Sequence, residues 1–215
     1  VTGIVFRAQE GAFLVGYIAG MTTKTNKVGF IGGMKNVIID QFQYGFEAGV
    51  LYAAKERNVP IEVVNQYAES FADAAKGKAI ASSMYSGGCD IVFHAAGGVG
   101  YGVIEAAKDS NKFVIGVDRD QSYLAPDNVL TSAVKNVGTA VKLVSRELMD
   151  GNQIGGRDYE FGLSEHCVGI PENHKNMEES VYNKAMNLSK LVECGEIAVP
   201  FDEETFKIYK ADLTK

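Results

Sequence analysis

Short, continuously apolar runs recur along this chain, and each closes near a Gly, Asp or polar turn before a stretch with helical spacing. The runs fall at residues 27–31 (KVGFI), 61–66 (IEVVNQ), 90–96 (DIVFHAA), 112–117 (KFVIGV) and 129–132 (VLTS). A strand wet on one face alternates apolar with polar residues, whereas a run apolar throughout needs cover on both faces. Helical spacing follows at residues 40–58, where Phe42, Phe46, Val50, Ala53 and Ala54 share one face, and at 72–86, 102–110 and 138–149. Residues 11–21 read as a further helix ahead of the first run. Buried strands alternating with helices predict a doubly wound α/β fold built on a parallel sheet. Residues 3–6, 159–163 and 166–170 are additional strand candidates, and 177–192 reads as a last long helix.

The chain has 215 residues, enough for one core or for one lobe and part of another. Its 24 glycines cluster rather than repeat, which removes collagen-like readings. The net charge of −6, with no basic stripe, argues against a nucleic-acid partner. No apolar run approaches the roughly 18 residues of a membrane span. Cys89, Cys167 and Cys194 are odd in number and widely spaced, so they suggest neither a disulfide scaffold nor a zinc ribbon, and Cys89 reads as a small core residue. His94, His166 and His174 lack metal-ligand spacing, and His94 reads as a hydrogen-bonded core residue. No P-loop, GxSxG, HExxH or nucleophile–base pair is legible, so no residue is assigned a catalytic role and neither a metal nor a cofactor is expected.

In doubly wound sheets, ligands bind beyond the carboxyl ends of the strands, near the point where strand order reverses. That rule selects Gly32 and Gly33, then residues 67–71, 96–98, 118–121 and 134–136. Gly97 and Gly98 open a glycine-rich strand-to-helix turn. It is either a plain tight turn or a loop whose backbone N–H groups approach a ligand. It is not a dinucleotide fingerprint, because the third glycine position falls on Val103 and the loop follows a late strand. Asp118 closes a buried strand; a carboxylate there is either a turn residue or an acceptor for adjacent sugar hydroxyls. Phe71, in Glu69-Ser70-Phe71-Ala72-Asp73, is a loop aromatic of the core or a platform for a planar ring, with Ser70 the expected cap of the next helix. Lys135 is an exposed helix-start lysine, a donor to a ligand hydroxyl, or a partner for Asp118.

Residues 9–34, 69–81, 90–108, 114–121 and 129–137 together resemble the basic-membrane-protein family, the purine-nucleoside-receptor-like substrate-binding lipoproteins of ABC importers. The resemblance runs in one order over nearly the whole chain. It implies two α/β lobes joined by hinge crossovers, with this chain supplying the C-terminal one. It implies that Phe71 stacks on a purine, and that Asp118, Lys135 and the Gly97–Gly98 backbone bind the ribose. It further implies a bacterial, extracytoplasmic lipoprotein anchored at the cell membrane, with an ABC permease as partner and no enzymatic activity.

Family members carry most of an N-terminal lobe ahead of the equivalent of Val1, so the chain is expected to be N-terminally truncated. Residues 1–8 would then be a hinge strand, 9–172 the C-terminal lobe, and 173–215 a helical segment for which a return towards the other lobe is one open course. Two other classes compete with the binding protein. One is an α/β enzyme using a nucleotide or sugar phosphate, and the other is the effector domain of a ligand-responsive regulator.

Overall fold

A computed structural model describes residues 1–213. Five parallel strands and a short antiparallel edge strand form the main sheet: β2 (Lys27–Gly32), β3 (Glu62–Tyr67), β4 (Ile91–Ala95), β5 (Phe113–Asp118), β6 (Val129–Lys135) and β8 (Val168–Gly169). Their order is β3-β2-β4-β5-β6-β8, with β6 and β8 antiparallel. The chain leaves β2 for one neighbour, β3, then crosses back to the other, β4, so the order reverses there.

The alternation of side chains along the strands divides the core into two layers. Phe30, Phe93, Ile115 and Leu130 face α1 (Ala8–Thr22), α2 (Val37–Arg57) and α6 (Glu179–Glu193). Ile31, Val92, Val114 and Val129 face α3 (Ala74–Ser86) and α4 (Val99–Ser110). The rings of Phe30, Phe42, Phe46 and Phe93 pack against one another at centroid distances of 5.2 to 6.3 Å. Helices on both faces make the sheet doubly wound, as the apolar runs predict.

α1 is buried along almost its whole length because α2 lies directly on it. A Cβ at Gly16 would collide with the Phe46 carbonyl, one at Gly45 with the Gln9 backbone and one at Gly49 with the Phe13 carbonyl. These glycines let two helix backbones touch. α6 covers another side of α1 with Val181, Ala185, Leu188 and Val192, and Phe206 of α7 (Glu203–Leu213) packs on Tyr44 of α2.

A second, much smaller assembly stands beside the main sheet. β1 (Gly3–Phe6) pairs in parallel with β7 (Asp158–Phe161), and α5 (Val137–Met149) packs on them. Its core is Ala140, Val144, Phe161 and Cys167 with a few half-buried neighbours. Three crossovers join it to the main sheet, from β1 into α1, from β6 into α5 and from β7 towards β8. Arg7 ties the first and the last together: its Nε donates to Glu10 at 2.7 Å and its Nη2 to Glu165 at 2.8 Å. The same carboxylates accept from the Leu163 and Gly162 amides at 2.7 and 2.6 Å.

The boundaries differ from the sequence reading where glycines and caps decide. α4 begins at Val99 rather than at 102. Gly100 and Gly102 belong to the helix: a Cβ at Gly100 would strike the His94 ring and one at Gly102 the Ala74 carbonyl. α3 starts at Ala74 because Asp73 is its cap, accepting from the Lys76 amide at 3.0 Å. Ser70 instead holds the preceding turn through the Ala72 and Asp73 amides. β6 runs on to Lys135, so this lysine ends a strand instead of starting a helix. α7 is absent from the sequence reading because none of its residues is fully buried, only Phe206 and Tyr209 packing half-buried on the core. Its cap was visible, since Asp202 accepts from the Thr205 amide at 2.8 Å.

Candidate functional site

Four strands of the main sheet, β2, β4, β5 and β6, end at one rim beside the order reversal. A cavity of about 350 Å³ opens there, walled by Phe71, Ala95, Ala96, Gly97, Val117, Asp118 and Lys135 and by Asn36, Ile38, Ile39 and Phe42 of α2 and its cap. Four of the five site candidates from the sequence thus line one cavity. The fifth, Gly98, supports it from behind.

Phe71 sits in the loop after β3. Its carbonyl accepts from the Gly98 amide at 2.8 Å, so that N–H is used within the protein and not offered to a ligand. Gly97 adopts φ +57°, and a Cβ there would approach the Phe71 carbonyl to 3.0 Å, so glycine suits both the backbone and the space. The Phe71 ring lies over Gly33, where any Cβ would overlap it, and is 36% exposed. A flat ring with one side seated on backbone and the rest reachable is a stacking surface.

Asp118 ends β5 with φ +67°, and the Arg119 amide donates back to the Val117 carbonyl at 2.8 Å. That three-residue turn with a positive central φ is rare for a residue bearing a Cβ. It turns the carboxylate out of the strand, more than half exposed, towards Lys135, whose Nζ lies 3.1 Å from Oδ1. The ammonium also stands 5.6 Å from the Phe6 ring centroid and 5.7 Å from that of Phe42, within the range of cation–π attraction. Of the roles the sequence left open for Lys135, the structure shows the pairing with Asp118.

Behind the rim, His94 is fully buried. Burial pushes its imidazole down to about 4, opposed by the adjacent Gln121 carboxamide and the Asp118 charge, so the ring is neutral near pH 7. Neither ring nitrogen meets hydrogen-bond geometry with a partner. The expectation of a hydrogen-bonded core histidine is therefore corrected in its geometry: the ring packs against Gly100, with the Gln121 carboxamide beside it but outside hydrogen-bond geometry.

Asn36, Ile38, Ile39 and Phe42 were not singled out from sequence. Phe42 was legible only as part of a core stripe. Asn36 was findable as the cap of α2, where it accepts from the Ile38 and Ile39 amides at 2.9 and 3.1 Å. Two larger hollows, of about 530 Å³ beside α7 and about 500 Å³ between β8 and α6, contain none of Phe71, Gly97, Asp118 or Lys135. Neither spans the order reversal. Among the described residues no group of three or more His, Cys, Asp or Glu could hold a metal, and no helix is long and apolar enough to cross a membrane.

This architecture, with a cavity at the strand ends, is that of one lobe of a periplasmic-binding-protein-like fold. It superposes on an ABC transporter system solute-binding protein from Aeropyrum pernix K1 with TM-score 0.84, at 24% identity, covering 100% of this chain and 70% of that one. A transcriptional activator of the comK gene from Bacillus halodurans gives TM-score 0.80 at 21% identity, covering 91% and 66%. At these identities the likeness concerns the fold alone. A family model described as ABC transporter substrate-binding protein PnrA-like matches residues 1–203, and the chain belongs to that family. Basic membrane protein A of Borreliella burgdorferi is 45% identical over 210 residues, covering 96% of this chain and 61% of that protein. Basic membrane protein A of Borreliella afzelii is 44% identical over 210 residues, covering 96% and 63%. The chain therefore spans about three fifths of the length of these relatives.

Proposed function

We propose that this chain forms the C-terminal lobe of the substrate-binding component of an ABC importer, and that its ligand is a purine nucleoside held between two lobes. The observation that carries the reading is the pairing, within one cavity, of an accessible phenylalanine ring with an outward aspartate–lysine pair. A nucleoside offers a flat, weakly polar base and a sugar with neighbouring hydroxyls. The Phe71 ring supplies a stacking face for the base. The Asp118 carboxylate is an acceptor and the Lys135 ammonium a donor for the ribose hydroxyls. Gly97 keeps the wall between them low enough for the sugar to approach backbone. Residues 1–8 would serve as the hinge, and the main sheet with α1 to α4 and α6 as the lobe. Binding, followed by handover to a permease, needs no chemical step. The whole protein would work outside the cytoplasm as a lipid-anchored protein of the bacterial cell membrane.

The test is an NMR titration of the 215-residue chain with inosine, guanosine, adenosine and free ribose. One lobe buries only part of a ligand, so binding is expected to be weak. The nucleosides should shift the Phe71 ring and the Gly97 and Asp118 amides together, ribose should move only the Asp118–Lys135 side, and Asp118→Ala should abolish both responses. Saturating nucleoside that leaves Phe71 and Asp118 unmoved would sink the proposal.

A further inference from the structure

Asp118 owes its outward carboxylate to a backbone conformation that it would not choose alone, so something must impose it. The group that does so does not line the cavity. Gln121, three residues on, folds back beneath the turn and is buried. Its Oε1 accepts from the Val117 amide at 2.9 Å, at the residue immediately before Asp118. The Gln121 backbone N–H donates to Oγ of Ser132 at 3.1 Å, and Ser132 is fully buried on the neighbouring strand β6. The fit depends on Gly116, where a Cβ would lie 2.6 Å from both Gln121 Oε1 and Ser132 Oγ. Asp120 and the Gln121 carbonyl stiffen the far side, accepting from the Ser122 amide at 2.9 Å and the Leu124 amide at 3.0 Å. The turn is thus fastened to β6, the strand that ends in Lys135, Asp118's ion partner.

We propose that Gln121 is a positioning residue for ligand capture. With Ser132 it braces the turn at Asp118, so that the carboxylate faces the cavity before any ligand arrives. The inference rests on the nucleoside reading for its functional consequence, but the brace itself can be read without ligand. A buried side-chain acceptor that replaces a lost backbone partner is expensive to remove, and a strained residue relaxes when its restraint goes. A site shaped in advance loses less on binding than one that must be ordered.

The experiment compares Gln121→Met, of similar length without an acceptor, with Gln121→Glu, which retains a carboxyl oxygen for the Val117 amide. Ser132→Ala attacks the brace from its other end and covers the case in which Gln121→Met does not fold. The first readout, in ligand-free protein, is the one-bond Cα–Hα coupling of Asp118, which separates positive from negative φ. The second is the affinity for inosine. Gln121→Met and Ser132→Ala should move Asp118 towards negative φ and weaken inosine by about tenfold, whereas Gln121→Glu should rescue both. A Gln121→Met protein that keeps the wild-type coupling and affinity overturns the proposal. So does equal weakening in the Met and Glu variants with Asp118 unmoved, which would mark Gln121 as packing alone. If inosine does not bind the wild-type chain, the nucleoside reading falls and the ligand-free coupling decides the brace.

Discussion

α1 and α5 are of similar length and both carry many apolar residues, yet one is sealed and the other bare. α1 buries nearly every residue between the main sheet, α2 and α6. α5 buries Ala140 and Val144 and leaves Val137, Val141, Leu148 and Met149 exposed, Met149 at 86%. The same contrast separates the two sheets: a six-stranded sheet with helices on both faces against two strands with one helix. Cooperative stability therefore resides in the large assembly. The small one is held by a modest core and by the bonds of Arg7, since a two-stranded sheet buries too little to stand alone.

Phe93→Ala should show this most strongly. It empties the centre of the ring cluster and should cost about 3–5 kcal/mol in denaturant unfolding, whereas Met149→Ser in the small assembly should stay within about 0.5 kcal/mol. Equal losses would erase the distinction.

A pH series sharpens it next. The His94 pKa near 4 in the fold lies below the value of about 6.5 for an exposed imidazole, so the unfolded chain takes up the proton first. Stability should fall as pH drops from about 6.5 towards 4, by roughly 3 kcal/mol, with no pH dependence from this group above that window. His94→Gln should flatten that part of the profile, and a profile unchanged by the substitution would show that His94 is not its source.

Asp118→Gly tests the rim. Glycine accepts a positive φ freely, so stability should hold or rise by up to about 1 kcal/mol in thermal unfolding while nucleoside binding disappears. A destabilised Asp118→Gly protein would mean that the turn is not strained.

The smallest effect belongs to the joint. Arg7→Met should cost about 1 kcal/mol or less, since the ion pairs are partly exposed. Hydrogen exchange should nonetheless rise in β1 and β7 and not in β4 or β5, and uniform acceleration would show that the two assemblies open as one.

Both assemblies were legible in the sequence as elements, but only the large one as an arrangement, and the reason is physical. Fully buried strands such as β4 and β5 announce themselves as continuous apolar runs, and their carboxyl ends then nominate Gly97 and Asp118. β1 and β7 are short and half-wet, so nothing in residues 3–6 reveals that they pair with residues 158–161. The glycine-rich stretch misled in the opposite direction. Gly100 and Gly102 serve contacts with His94 and Ala74, two side-by-side elements that local spacing does not reveal. The α2 wall of the cavity escaped because Ile38, Ile39 and Phe42 look like any helical stripe until the helix end is placed at the sheet rim.

The backbone-to-backbone seam between α1 and α2 has a mechanical meaning. α1 starts one residue after Arg7, and α2 starts one residue after Asn36 on the cavity wall. With glycines at the points of closest approach and the Phe13, Tyr17 and Tyr52 rings packed across the seam, the two helices are closely locked together. They are expected to move as one stiff unit, so under the proposed hinge at residues 1–8 a rotation there would be carried to the lip where a ligand would enter.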